Sequence, residues 1–290
     1  MRPSLLLLDK PENITSFSAV ARARRILGIK KAGHTGTLDP MATGVLPILL
    51  GAATRFAEFL PSHDKAYVAG LRLGITTDTL DITGAILEER PTNVTRAEIE
   101  QALAQFRGRI MQVPPMYSAK SQGGQRLYEL ARRGVEVERE ARAVEVYRLE
   151  LLDEAQIYVE CSAGTYVRSL IDDLGRALGC GACMSSLRRT KANGYDISRC
   201  VTLEQLETLG RAERGDTRGF VSIDEALAAY PTIEVTPAQA VRFRNGGALD
   251  LARLRDLSTG ELHRVYGDGA FLGLGRVQKE ELAVARLLTP

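Results

Sequence analysis

The stretch Lys31-Ala-Gly-His-Thr-Gly-Thr-Leu-Asp-Pro-Met-Ala-Thr-Gly-Val-Leu-Pro47 sets one acid, Asp39, among small residues, with Pro40 fixing the backbone just after it. Gly33, Gly36 and Gly44 remove side chains on either side, so another molecule's backbone can approach the carboxylate closely. Such a loop is one way to present a catalytic group. The same composition suits a connecting loop in which Asp39 merely bonds its own backbone. Other chemistries find little support. There is no P-loop, dinucleotide fingerprint or Gly-x-Ser-x-Gly elbow, and His34, His63 and His263 have no evident nucleophile partner. His34 is kept as a candidate because it lies in the Asp39 loop. Cys180-Gly-Ala-Cys183 has metal-ligand spacing but no second pair. Cys161 and Cys200 could complete a four-thiolate zinc site, yet Cys161 sits in an alternating strand pattern where small buried thiols are common. We therefore expect no metal and no redox cofactor. Carboxylate, tyrosine and arginine are left, a set suited to a glycosidic carbon that a carboxylate can attack or stabilise.

Local sequence signals set the secondary structure around these groups. Leu5 to Leu8 is a short buried strand. Ser16 to Leu27 is a helix capped by Thr15 or Ser16 and stopped at Gly28, with Phe17, Val20, Ala23 and Leu27 as its apolar stripe. Strands are expected near Val45–Leu50 and from Tyr67, with a helix at about 52–60 between them. Tyr67, Ala69, Leu71 and Leu73 share one face of the second strand. Thr76 to Gly84 is a polar turn holding Asp78 and Asp81. Thr95-Arg-Ala-Glu98 is a capping box that opens a helix to about Phe106. Val113 to Gly124 is too rich in proline and glycine for helix or central strand. A short helix over Arg126 to Arg133 follows it. Val135 to Leu152 and Gln156 to Ser162 read as antiparallel strands. Thr165 is expected to cap the next helix, placing Tyr166 and Arg168 on its first turn, pointing out of the sheet edge. Thr202 and Ser222 open two more capping patterns. After a boundary at Tyr230-Pro231 come a helix from Thr236-Pro and a hairpin around Gly267-Asp-Gly269.

Length, at 290 residues, suggests about two domains. Hydrophobic content of 44% and charged content of 26% are those of an ordinary globular chain. No run approaches the roughly 18 apolar residues of a membrane span, and Leu5–Leu8 ends too soon for a signal peptide. A cytoplasmic protein is expected. Net charge is only +2, but three basic blocks contain almost no acid. The first holds Arg22, Arg24, Arg25, Lys30 and Lys31. The second runs from Arg107 to Arg133 and includes Arg132. The third holds Arg176, Arg188, Arg189 and Lys191. Singly, each block reads as a solvated face; together they suggest a surface for a polyanion.

The motif from Gly33 to Pro47 closely resembles that of the TruB-type tRNA pseudouridine synthases. The resemblance covers nearly the whole chain, because further family motifs follow in order. These are Asp9-Lys-Pro11 with Ser16, Lys65-Ala-Tyr67, Thr77-Asp-Thr-Leu-Asp81 and Pro114-Pro-Met-Tyr-Ser-Ala119. Then come Tyr128-Glu-Leu-Ala-Arg132, Cys161-Ser-Ala-Gly-Thr-Tyr-Val-Arg168, Asp172-Asp-Leu-Gly175 and Leu187-Arg-Arg-Thr190. One departure is that Lys120 stands a position early, with Ser121 at the family's usual lysine site.

The resemblance implies an α+β pseudouridine synthase fold, with a central, largely antiparallel mixed sheet flanked by helices. It assigns 1–231 to a catalytic domain and 232–290 to a small, mostly β, PUA-like RNA-binding module. It implies isomerisation of uridine-55 in the tRNA T-loop without cofactor, by a monomer needing no protein partner and no membrane. Asp39 matches the family's nucleophile, Tyr67 the tyrosine that stacks on the flipped base, and Arg168 the arginine that pairs with the aspartate and keeps it ionised. Tyr166 and Leu187 match pocket-lining residues, and His34 and Asp81 match residues near flipped T-loop nucleotides. Arg22, Lys31 and Arg132 are expected on the RNA. Two rival readings are an RNA N-glycosidase using Asp39 with Asp78 or Asp81, and a non-catalytic tRNA-binding or tRNA-folding protein.

Overall fold

The computed structural model describes residues 4–118, 121–122, 124–135, 137–211, 217–254 and 258–288. The apolar run near the N-terminus becomes β1 (Ser4–Lys10), a strand buried on both faces. Leu5 and Leu7 point to one layer and Leu6 and Leu8 to the other, as the two-residue period requires. Helix α1 (Ser16–Ile26) follows, its first turn capped by the Thr15 hydroxyl. Its buried face is Ser16, Ala19, Val20 and Ala23, and Phe17 is 79% exposed rather than part of the stripe. The Ser16 hydroxyl accounts for the difference. It donates to Leu38 O and accepts from Leu38 N–H, turning that side of the helix inward and Phe17 outward.

Strands β2 (Ala32–His34) and β3 (Thr43–Leu50) flank the Asp39 loop, and a 3-10 helix over Gly51–Phe59 replaces the expected α-helix. Strand β4 (Lys65–Leu73) packs Tyr67, Ala69, Leu71 and Leu73 into the core. Strands β5 (Ile75–Thr77) and β6 (Ile86–Glu89) carry the turn holding Asp78 and Asp81. Helix α2 (Arg96–Leu103) has the expected capping box from Thr95 and Glu98. After β7 (Gly108–Gln112) come the two-residue strands β8 (Ser121–Gln122) and β9 (Gln125–Arg126) and the short helix α3 (Leu127–Arg132). Strands β10 (Arg142–Asp153) and β11 (Gln156–Cys161) pair antiparallel. Helix α4 (Val167–Ala177) starts one residue later than a Thr165 cap would place it. Tyr166 is its N-cap, and the Thr165 hydroxyl instead donates to Ser162 O. Then come β12 (Ala182–Ala192), β13 (Tyr195–Asp196), α5 (Leu203–Arg211), β14 (Phe220–Ser222) and α6 (Ile223–Ala226).

Among the described residues ten strands form one mixed sheet, ordered β14-β1-β3-β12-β4-β11-β10-β7, with β2 on β3 and β13 on β12. Its pairings are antiparallel except that of β3 with β12, so the architecture is the α+β arrangement with a largely antiparallel sheet. A second, five-stranded sheet is built from β15 (Thr232–Val235), β16 (Leu249–Asp250), β17 (Leu262–Gly267), β18 (Ala270–Gln278) and β19 (Glu281–Leu287). Helix α7 (Pro237–Arg244), with its own capping box, packs Ala240 and Phe243 onto it. An apolar seam joins the two sheets, in which Phe56 meets Phe271 at 6.2 Å between ring centroids. No described helix is long and apolar enough to cross a membrane.

Register in the large sheet lines up the residues that matter next. Lys10 stands opposite Gly44, Gly44 opposite Arg189, and Arg189 opposite Tyr67. Paired residues share a face, so these four form one row across β1, β3, β12 and β4. Gly44 sits at φ +105°, and a Cβ there would fall 2.1 Å from the Arg189 carbonyl oxygen. Gly44→Ala is expected to lower stability by at least about 2 kcal/mol in denaturant melts. Gly33→Ala, whose Cβ would meet nothing within 4 Å, should change it by less than about 0.5 kcal/mol.

Candidate active site

Three buried side chains hold the backbone on both sides of Asp39. Arg189, 1% exposed, donates to Val45 O (2.7 Å), Gly36 O (3.1 Å) and Thr37 O (3.4 Å). Ser16 brackets Leu38 as described. Lys10, fully buried, gives its ammonium to Pro11 O and Ile14 O (both 2.8 Å) and Pro40 O (3.2 Å). Burial lowers the Lys10 pKa to about 8, with the Asp39 charge opposing that fall. Neither Lys10 nor Arg189 stands out as a site residue in the sequence. A signal existed for Lys10: it shares the inward period of Leu6 and Leu8, where a cation must find acceptors.

Arg168 lies on the first turn of α4. It is 5% exposed and points into the cleft, not away from the sheet edge. Its Nε meets Asp39 Oδ2 at 2.9 Å and its Nη2 donates to Asp39 Oδ1 at 3.2 Å, a side-on fork. Nη1 donates to Thr79 O (3.0 Å) and Nη2 to Tyr117 O (2.8 Å), while Asp81 Oδ2 stands 3.8 Å from Nε. Asp81 itself is fixed, accepting from Thr79 Oγ1 (2.9 Å), Thr83 N–H (3.0 Å) and Thr83 Oγ1 (2.5 Å). No side chain caps α4. Buried Gln112 instead accepts from Tyr166 N–H (2.7 Å) and donates to Tyr166 O (3.0 Å).

These groups border a cavity of about 310 Å³. Asp39, Tyr67, Arg168, Tyr166 and Leu187 all line it, and Asp39 is the one acid among its described lining residues. Tyr67 is buried, and that burial pushes its phenol up to about 12, so it is a neutral ring at pH 7. Burial also raises the Asp39 pKa above the ordinary 3.8, and Asp81 adds to this, while Arg168 and Lys10 pull it down. The net direction is upward. The pairing implied by the resemblance is present, but it offsets the burial only in part. A larger cavity, about 880 Å³, has Glu225 as its one described acid, and Glu225 is paired with Arg199 at 3.3 Å.

The remaining candidates lie outside the cavity lining. Asp81 stands behind Arg168. His34 ends β2, half-buried, its pKa lowered by burial and by the Arg189 charge. Arg22 and Lys31 are exposed, Arg22 on α1 and Lys31 just ahead of β2. Arg132 ends α3, with its side chain outside the described residues, as is Lys120. The first basic block is exposed as expected. The third is not a free phosphate surface: Arg176, Arg188 and Lys191 pair with Asp172, Asp9 and Glu160, and Arg189 is buried. No described cluster of His, Cys, Asp or Glu could hold a metal ion, and the four cysteines are free thiols.

Comparison with known proteins identifies the family. Residues 24–167 match the model of the TruB family pseudouridylate synthase N-terminal domain. Residues 168–228 match the tRNA pseudouridylate synthase B C-terminal domain, and 231–288 the C-terminal model of pseudouridine synthase II TruB. The chain belongs to the TruB family of pseudouridine synthases. The tRNA pseudouridine synthase B of Azoarcus sp. (strain BH72) is 46% identical, over 98% of this chain and 94% of that protein. That of Aromatoleum aromaticum is 48% identical over 93% of this chain and 87% of its own length. The crystal structure of a Cbf5–Nop10–Gar1 complex superposes with a TM-score of 0.73 at 28% identity, covering 99% of this chain and 85% of the matched one. In this TruB-family site a reaction that needs the Asp39 carboxylate should fade below a pH higher than 3.8, the ordinary aspartate value. Arg168→Ala removes the largest influence lowering that pKa, so the acid limb of kcat/KM should move further up; an unmoved limb would contradict the assignment.

Proposed function

We propose that the protein isomerises a uridine of tRNA to pseudouridine, with uridine-55 of the T-loop as its target and Asp39 as its nucleophile. The observation that carries this reading is one carboxylate, held side-on by Arg168, in a cavity with a buried neutral tyrosine and no second acid in its described lining. The carboxylate attacks C1′ of the ribose, or assists elimination to a glycal, as the bond from C1′ to N1 breaks. The freed uracil turns, and C5 bonds to C1′ as the Asp39–C1′ bond breaks or, on the glycal route, as the C2′ proton lost in the elimination returns. The C5 proton then leaves and N1 takes a proton. No water or cofactor enters the balance. The ring of Tyr67 offers the stacking surface that a base taken out of its helix needs. Leu187 and Tyr166 wall the same space. In this reading Asp81 keeps Arg168 in place, and His34 fills space left by flipped nucleotides.

The exposed block of Arg22, Arg24, Arg25, Lys30 and Lys31 holds backbone phosphates, while loop shape and flipped bases give selectivity. Residues 1–231 act as the catalytic unit. Residues 232–290 act as a PUA-like module that adds RNA contact. A monomer working in the cytoplasm on the T-stem-loop of tRNA completes the proposal.

The glycosidase alternative needs a second working carboxylate. Asp81 is committed to Thr79, Thr83 and Arg168, and Asp78 accepts from Ala85 N–H at 2.8 Å in the turn. Neither borders the cavity. Tritium release from a [5-³H]uridine-labelled tRNA transcript tests the proposal. The unmutated protein should release tritium without free uracil, and Asp39→Asn should lower the rate by at least about 10³-fold. Free uracil as product, or equal release by Asp39→Asn, would overturn it.

A further inference from the structure

Two arginines reach the Asp39 cavity, and their guanidinium groups are used differently. Arg168 presents the edge formed by Nε and Nη2 to the carboxylate. The same edge of Arg142, Nε with Nη2, is closed off from solvent and bonded to no protein group. The Ser118 hydroxyl, in a residue 5% exposed, is likewise buried and unbonded. Both residues line the cavity. Buried donors without acceptors are destabilising and uncommon, and here three such atoms belong to two residues of one cavity lining.

The sheet fixes where Arg142 stands. In β10 it is opposite Gln112 of β7, the side chain that grips Tyr166. Four residues on, Val146 stands opposite Cys161, which stands opposite Lys65, two before Tyr67. The two-residue period therefore puts Arg142, Lys65 and Tyr67 on one face. The described cavity lining carries three cations, Lys65, Arg142 and Arg168, against one acid, Asp39, which Arg168 already holds. The site has positive charge to share and a two-pronged donor to share it through.

We propose that Arg142 and Ser118 form a phosphate subsite that receives one backbone phosphate of the RNA strand bearing the target uridine. This rests on the function proposed above. The Nε and Nη2 prongs match two oxygens on one atom, which a phosphodiester supplies together with a negative charge. A uracil offers only single neutral carbonyl oxygens on either side of a ring nitrogen. The Ser118 hydroxyl donates to the same group. The subsite holds the backbone of the flipped nucleotide while its base lies against Tyr67, so it acts in binding.

Stem-loop RNAs carrying one neutral methylphosphonate at each successive phosphate around the target uridine test this. Dissociation constants are measured for the Asp39→Asn protein, which cannot turn the RNA over, with and without Arg142→Gln. One position should weaken binding to the parent by about ten-fold or more, and that same substitution should cost the Arg142→Gln protein nothing further. Ser118→Ala should show a smaller loss coupled to the same phosphate. No position standing out on the parent protein would overturn the subsite, whatever the variants do. So would losses that add fully to Arg142→Gln at every phosphate. If those losses add while the unmutated protein releases tritium from tRNA, the subsite fails and the proposed function stands. Absence of tritium release removes the proposed function, and the coupling of Arg142 to one phosphate is still read in binding.

Discussion

Arg168 meets Asp39 through two nitrogens of one guanidinium edge, and that fork depends on four separate pieces of chain. The first turn of α4 supplies the arginine, the β2–β3 loop the acid, and the Asp81 turn and the Tyr117 carbonyl complete the arginine's bonds. A guanidinium this buried is tolerable only with its donors satisfied. Each partner therefore constrains the others. Moving the Thr79 carbonyl or the Tyr117 carbonyl would leave a donor unpaired and loosen the carboxylate. The segment that begins at Val113 is tied into the same network, since Ser169 donates to Val113 O at 3.2 Å.

The loop that presents Asp39 is pinned from below by the row of Lys10, Gly44, Arg189 and Tyr67. Two of these are cations that serve the backbone rather than a ligand. Their desolvation is offset by carbonyl groups of residues 36, 37, 40 and 45, so the cost of burying them also rigidifies the Asp39 loop. Gly44 permits it because β3 and β12 approach too closely there for any side chain. A preorganised carboxylate is what the proposed reaction at C1′ asks for, since charge then develops against groups that need not rearrange.

Much of this was legible in the chain, and the illegible parts share a cause. The capping box at Thr95, the Thr236-Pro helix start, the alternation of Tyr67 to Leu73 and the hairpin at Asp268 are local signals, and each produced the expected element. The Asp39 loop was legible as a Gly-rich presentation of one acid. What escaped depends on distant partners. The third basic block reads as a polyanion surface until Asp9 and Glu160, far away in the chain, are seen to neutralise Arg188 and Lys191. Arg189 looks like its neighbour until the sheet buries it. Phe17 looks like a core residue until Ser16 claims the inward side of α1. Thr165 looks like a cap, but Gln112, about 50 residues earlier, holds the helix start instead.

If the Arg168 fork is what makes Asp39 effective, charge alone cannot replace it. Arg168→Lys keeps the cation and removes the two-pronged edge. The direct measurement is the single-turnover rate of pseudouridine formation in a T-stem-loop RNA by this variant, alongside its RNA dissociation constant. The expected result is a rate lower by about 100-fold or more, with binding within a few-fold of the unmutated protein. A variant that turns over at the unmutated rate would contradict it.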